Sequence, residues 1–271
     1  MKENINNTLK YGMISDWIYV YKKYIPQDIL EELSFQMITK NSDNSDLIEN
    51  IYLYEIYEDE NIVAIPRYCK FGKFLLDNKL LIDNRSYGSD ININMKIEPR
   101  DEYQKEAIKS IIDNDNGIIC AKTAFGKTYV AINAISKLKK KALILMHKRD
   151  LMYQWKEDIL KYTDLKEDDI QIFTGSKFLT DKKITITTVQ NISAKIRHNE
   201  FNIRELFEKE NFGITIYDEC HTTIGPLVNT STSRWIFSKR IYGLSATPKR
   251  GDELDKVINS ILGDIIYQKT A

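Results

Sequence analysis

Gly117-Ile-Ile-Cys-Ala-Lys-Thr-Ala-Phe-Gly-Lys-Thr-Tyr-Val-Ala-Ile-Asn-Ala-Ile-Ser136 joins a short apolar run, a loop and a helical pattern without a break. Gly117 to Cys120 reads as a buried strand, and Val130, Ile132 and Ile135 recur as they would on a helix. Between them, Ala121, Lys122, Thr123, Ala124, Phe125, Gly126, Lys127 and Thr128 form a loop of the type whose backbone N–H groups turn inward around a β-phosphate. Lys127 is placed to neutralise β/γ-phosphate oxygens, and Thr128 to offer its hydroxyl to magnesium. A strand, a phosphate loop and a helix in that order predict an α/β fold with its ligand at the carboxyl ends of the strands.

A second run, Ile214-Thr-Ile-Tyr217, delivers Asp218 and Glu219 to such a strand end. Asp218 is the candidate for magnesium, and Glu219 for orienting and deprotonating an attacking water. Taken singly, a Gly-Lys-Thr is a common turn and an Asp-Glu pair is ordinary surface charge. Their order, each behind an apolar strand, points instead to a nucleoside triphosphatase using ATP and Mg2+. Ala124 stands where this loop usually carries Gly, and Ala resists a positive φ by roughly 1 kcal/mol. Weakened nucleotide binding is therefore expected, with Ala124→Gly tightening it.

Further out, strands are predicted at about 117–120, 142–147, 170–173, 184–187, 213–217 and 240–245. Helices are predicted at about 101–112, 128–138, 149–161, 189–197 and 251–262. This alternation implies a parallel sheet covered on both faces.

The ordered motifs resemble the first motor domain of superfamily-two DNA helicases, nearest the XPB-like group of large DNA viruses and phages. Arg100-Asp-Glu-Tyr103-Gln104 resembles the glutamine motif, which implies that Gln104 reads adenine. Ala142 to Trp155 resembles motif Ia, whose basic turn His147, Lys148 and Arg149 would grip DNA phosphates. A solvated basic turn is the blander account. Thr187-Thr188-Val189-Gln190-Asn191 resembles motif Ib, with Thr188 and Gln190 as candidate contacts to phosphate or sugar, although Thr also simply suits a strand. Ser245 and Thr247, in Gly243-Leu-Ser-Ala-Thr-Pro-Lys-Arg250, and His221 would by resemblance couple the nucleotide to DNA and to the opposite motor domain. Trp155 and Trp235 look more like packing than base-stacking platforms. The resemblance implies a RecA-like motor domain over 98–271 behind a small α+β module at 1–97.

In that module, Pro26 to Phe35 predicts a short helix, Asn41 to Asp46 a loop, and Ile51–Tyr57 with Asn61–Ile65 a hairpin turning at Glu58-Asp-Glu60. Tyr52, Tyr54, Tyr57 and Tyr68 beside Arg67 and Lys70 form either a DNA-contacting face or merely tyrosine-rich strands. The 271 residues carry 39 basic and 39 acidic side chains, so DNA affinity must come from local patches such as Lys137, Lys139, Lys140, Lys141, Lys148 and Arg149. Three widely spaced cysteines, Cys69, Cys120 and Cys220, speak against a disulfide framework or a zinc site. No apolar run approaches a membrane span, and the amino terminus lacks a signal core, so a cytoplasmic location is expected, in the host cell if the protein is viral or phage-borne.

The expected activity is an ATP-dependent DNA helicase or branch-migration translocase acting on single-stranded or branched DNA. Its arginine fingers would come from a second RecA-like motor domain, in the same gene or on a separate chain. A regulatory DNA-binding module without motor activity and the translocase arm of a restriction-type complex remain open.

Overall fold

The computed structural model describes residues 10–40, 46–175, 177–198, 202–224, 233–247 and 254–269. Its contacts divide the chain into two units, Met1–Asn84 and Arg85–Ala271.

The first unit contains β1 (Gly12–Ile14), β2 (Ile18–Tyr21), α1 (Gln27–Glu32), β3 (Ser34–Lys40), β4 (Asp46–Tyr52), β5 (Glu55–Tyr57), β6 (Ile62–Ile65), α2 (Lys70–Asp77) and β7 (Leu81–Asp83). Five strands form one sheet in the order β5-β6-β2-β1-β7, while β3 and β4 pair separately. Ile14, Trp17, Ile18, Val20, Val63, Ile65 and Leu75 are buried. The helix expected through Phe35 ends early, because Ser34 and Phe35 already pair with Tyr52 and Ile51. The strand expected over Ile51–Tyr57 breaks after Tyr52, where the buried Leu53 donates its N–H to Leu33 O at 2.9 Å. Its second half, β5, makes the expected hairpin with β6. Residues 41–45 of the expected loop lie outside the described residues. The proposed aromatic-basic face also needs correcting. Arg67 is only 2% exposed, with its guanidinium donating to Ser15 O, and Tyr68 is buried too, so neither is available to DNA there.

The second unit holds α3 (Glu102–Asp113), β8 (Asn116–Ala121), α4 (Lys127–Leu138), β9 (Ala142–Met146), α5 (Arg149–Tyr162), β10 (Ile170–Phe173), β11 (Ile184–Thr188), α6 (Val189–Arg197), α7 (Ile203–Glu210), β12 (Ile214–Tyr217), α8 (Cys220–Thr223), β13 (Arg240–Ser245), α9 (Leu254–Leu262) and β14 (Ile265–Lys269). Its seven strands are all parallel, in the order β10-β11-β9-β12-β13-β8-β14. β9, β11 and β12 are buried along their whole length, as strands covered on both faces must be. α3, α4 and α5 pack side by side in sequence order, α6 and α7 lie together, and α8 and α9 pack against β13. The predicted strands and helices of this unit match to within a few residues. Three elements were not foreseen: the short helices α7 and α8 and the edge strand β14.

Residues 85–97, expected with the amino-terminal module, make their contacts within the second unit. Ser86 bridges to Ser238, Ser89 O accepts from Lys141 N, Ile91 N donates to Lys139 O, and Met95 bridges to Thr163. These partners precede β13, β9 and β10 in the chain. The segment therefore straps the amino edge of the sheet, away from the carboxyl edge where the phosphate loop begins. Among the described residues no helix is long and apolar enough to cross a membrane.

Candidate active site

β8 ends at Ala121 and β12 at Tyr217, with only β13 between them in the sheet. Parallel pairing brings all three carboxyl ends to one edge. That edge gathers the phosphate loop, Asp218-Glu219 and Ser245. Thr123–Phe125 form one 3-10 turn, and Gly126, at φ 86° and ψ 42°, caps α4. Its positive φ favours glycine, and a Cβ there would lie 2.8 Å from Gln104 Nε2 and displace that amide.

Lys127 is 6% exposed. Its Nζ donates to Ala121 O at 2.8 Å and lies 4.0 Å from Glu219 Oε1. Thr128 follows in the first helical turn, half-buried, while Lys122, Thr123 and Ala124 are exposed. The Ala124 expectation is corrected here. The left-handed residue of the loop is Gly126, and Ala124 sits in the 3-10 turn without a positive φ.

Gln104 is buried, and its amide already serves the loop. Nε2 donates to Phe125 O at 3.0 Å, and Oε1 accepts from Arg100 N at 3.0 Å. Arg100 adds donors to Ala124 O and Phe125 O. In this arrangement Gln104 braces the phosphate loop, leaving one N–H and one lone pair for a base edge.

Asp218 is 8% exposed, and both of its oxygens are held. Oδ1 accepts from Glu219 N at 3.0 Å and Oδ2 from Trp155 Nε1 at 2.7 Å. Burial pushes its carboxyl pKa up, against the lowering effect of the Trp155 N–H. Glu219 adopts a left-handed conformation, φ 45°, as it caps α8. Its Oε2 lies 3.4 Å from His221 Nδ1, and Ser245 Oγ lies 3.2 Å from the same nitrogen. Ser245 Oγ in turn donates to Thr247 O and accepts from Thr247 N. Lys127, Glu219, His221 and Ser245 thus follow one another at 4.0, 3.4 and 3.2 Å, ending at the backbone of Thr247. Pro248, Lys249 and Arg250 lie outside the described residues.

Magnesium fits this donor set. Among the described residues no three His, Cys, Asp or Glu side chains cluster to cage an ion. The buried Asp218 carboxylate, close enough to Lys127 to feel its charge, and the Thr128 hydroxyl instead suit an ion bound mainly through nucleotide phosphates.

The residues expected at DNA divide. Lys148, Arg149 and Gln190 are exposed at the carboxyl edge. His147 is half-buried, with Nδ1 buried and without a hydrogen-bond partner. Burial and the adjacent Lys148 lower its pKa, opposed by Asp218 and Glu219. Thr188 is buried, and its hydroxyl caps α6 by accepting from Asn191 N at 3.1 Å, which removes it from the DNA-facing set. The expected lysine patch is also split. Lys137, Lys139, Lys140 and Lys141 precede β9, whereas Lys148 and Arg149 follow it. A five-residue strand, about 16 Å long, separates the two groups. Lys141 is moreover buried in an ion pair with Glu210, and Lys140 pairs with Asp90. Trp155 is buried, as expected of a packing residue, but its indole N–H also donates to Asp218, a partner 63 residues away that the sequence does not reveal.

A parallel RecA-like sheet with a phosphate loop and an acidic pair at its carboxyl edge defines a nucleotide-binding motor fold. The profile of the family described as "Type III restriction enzyme, res subunit" matches residues 96–250, and the chain belongs to that family. The "DNA 3'-5' translocase XPB2" of Sulfurisphaera tokodaii is 35% identical over 207 residues, covering 75% of this chain and 44% of that protein. The "Putative helicase 161L" of Invertebrate iridescent virus 6 is 27% identical over 242 residues, covering 88% of this chain and 52% of the viral protein. The chain thus spans about half the length of these relatives. The crystal structure of the UvsW helicase from bacteriophage T4 shares the fold, with a TM-score of 0.63 at 18% identity, covering 95% of this chain and 98% of that one.

Proposed function

We propose that this chain supplies the amino-terminal module and first RecA-like motor domain of an ATP-dependent DNA helicase or branch-migration translocase, of the XPB-like group of large DNA viruses and phages. The carrying observation is the convergence of Lys127, Asp218 and Glu219 at one sheet edge, with Lys127 Nζ 4.0 Å from Glu219 Oε1. The backbone N–H groups of 122–127, apart from that of Phe125, which donates to Lys122 O, cradle the phosphates of ATP, and Lys127 exchanges the Ala121 carbonyl for phosphate oxygens. Thr128 and Asp218 would hold magnesium, which would neutralise charge on the phosphates. Glu219 orients the attacking water and takes its proton on a carboxylate oxygen. His221, Ser245 and Thr247 carry the nucleotide state onward, while Lys148, Arg149 and Gln190 hold the backbone of single-stranded or branched DNA. The motor domain runs from residue 85 in this reading, and the module ahead of it adds DNA contact through what remains exposed of its aromatic face, such as Tyr52 and Lys70. A second RecA-like domain, in the same gene or on a separate chain, completes the site in the cytoplasm.

ATP turnover tests this, for the chain alone and with a candidate second motor domain, with and without DNA. The chain alone should bind ATP and turn over very slowly, and the second domain should restore DNA-stimulated turnover, since an arginine finger contributes about 10³–10⁵. Robust DNA-stimulated turnover by the chain alone would overturn the need for a second domain. Activity surviving Glu219→Gln would favour a regulatory module instead.

A further inference from the structure

We propose that Trp155 is a positioning residue for ATP chemistry, its indole N–H fixing the rotation of the Asp218 carboxylate toward the metal. The inference rests on Asp218 being the metal carboxylate. The backbone of Asp218 is held on both sides, its N–H donating to Leu145 O at 2.8 Å and its carbonyl accepting from Thr223 Oγ1. Rotation of the side chain is left to be fixed. Glu219 N holds Oδ1, and Trp155 Nε1 holds Oδ2 at 2.7 Å.

Trp155 is 2% exposed and comes from α5, an element other than the one that carries Asp218. Packing alone does not demand such a bond. Trp235 Nε1 is buried without a partner, so this fold tolerates an unpaired indole N–H. A charge-assisted bond between two buried groups is short and directional, and each Asp218 oxygen keeps a lone pair for the site. Without the indole donor the carboxylate would hold one fixed oxygen and sample other rotations. Its partner ion would then bind more weakly, while contacts of the phosphate loop with ATP would be untouched. Trp155 touches neither nucleotide nor metal in this account and acts only through Asp218.

The test uses the 271-residue chain with 15N-labelled tryptophan, which gives three indole signals. Trp155→Phe assigns one of them, and Asp218→Asn should move that signal upfield and speed its exchange with solvent. Binding of a fluorescent ATP analogue is then titrated with Mg2+. Trp155→Phe should raise the Mg2+ midpoint about tenfold, the size of one hydrogen bond to a charged group, and leave metal-free binding unchanged. Because Phe also leaves a gap, a second chain carries benzothienylalanine at 155, which keeps the indole shape and lacks the N–H. It should show the same rise. A wild-type midpoint in the benzothienylalanine chain, or an indole signal blind to Asp218→Asn, overturns the role of Trp155. If Asp218→Asn itself leaves the Mg2+ midpoint unchanged, the metal-site reading fails first and takes this inference with it.

Discussion

Lys127 is an ammonium held almost out of water, and its partners are one carbonyl and a carboxylate at 4.0 Å. Its three donors are not exhausted by these contacts, which leaves the capacity that the proposed phosphate oxygens would use. Ala124 belongs to the same arrangement, in a 3-10 turn whose carbonyl accepts from Arg100 Nη1 at 3.3 Å. Glycine at 124 would gain no permitted conformation that the loop uses and would widen the unfolded ensemble, costing roughly 0.5–1 kcal/mol. Ala124→Gly is therefore expected to lower the melting temperature and leave ATP affinity equal or weaker. Equilibrium titration decides it, and tightening beyond about twofold would restore the positive-φ account.

α6 shows how an element can occupy a candidate binding residue. Thr188 ends β11, is buried, and spends its hydroxyl on Asn191 N, the cap that starts the helix. Thr188→Ala should cost about 1 kcal/mol of stability, as loss of such a cap does, with DNA affinity within about twofold of wild type. Denaturant unfolding and a DNA titration separate the two effects, and a large loss of affinity in a fully stable variant would return Thr188 to the DNA face. Most strands and helices of the second unit were legible because strands such as Ala142–Met146 are apolar runs and helices repeat an apolar face, as at Val130, Ile132 and Ile135. The three-residue strands β1 and β7 are too short to carry a pattern. Charged and hydroxyl residues misled for a different reason. Arg67, Lys141 and Thr188 are usually exposed types, and only tertiary partners such as Ser15 O and Glu210 reveal them as buried.

At the scale of the whole chain, the boundary between units is decided by a segment with no periodicity. Residues 85–97 form no strand or helix and make their bonds to loops far along the chain, so the sequence marks only Pro99 as a break. Ile91 and Ile93 are nonetheless buried in the motor core, and Asn94 donates to both carboxylate oxygens of Asp164, at 2.8 and 2.7 Å. Removing the strap would expose those two isoleucines' sites, at about 1.5–3 kcal/mol each, and strip partners from the loops before β9 and β10. Such a loss is a large share of the 5–15 kcal/mol that holds an ordinary domain. A fragment of residues 85–271 is therefore expected to unfold cooperatively and to bind ATP. A fragment beginning at 98 should be destabilised by several kcal/mol, or aggregate, although every residue of the nucleotide site is retained. Circular dichroism melts and nucleotide binding on the two fragments read this directly, and equal stability would place the strap outside the folding unit and the boundary back at Pro99.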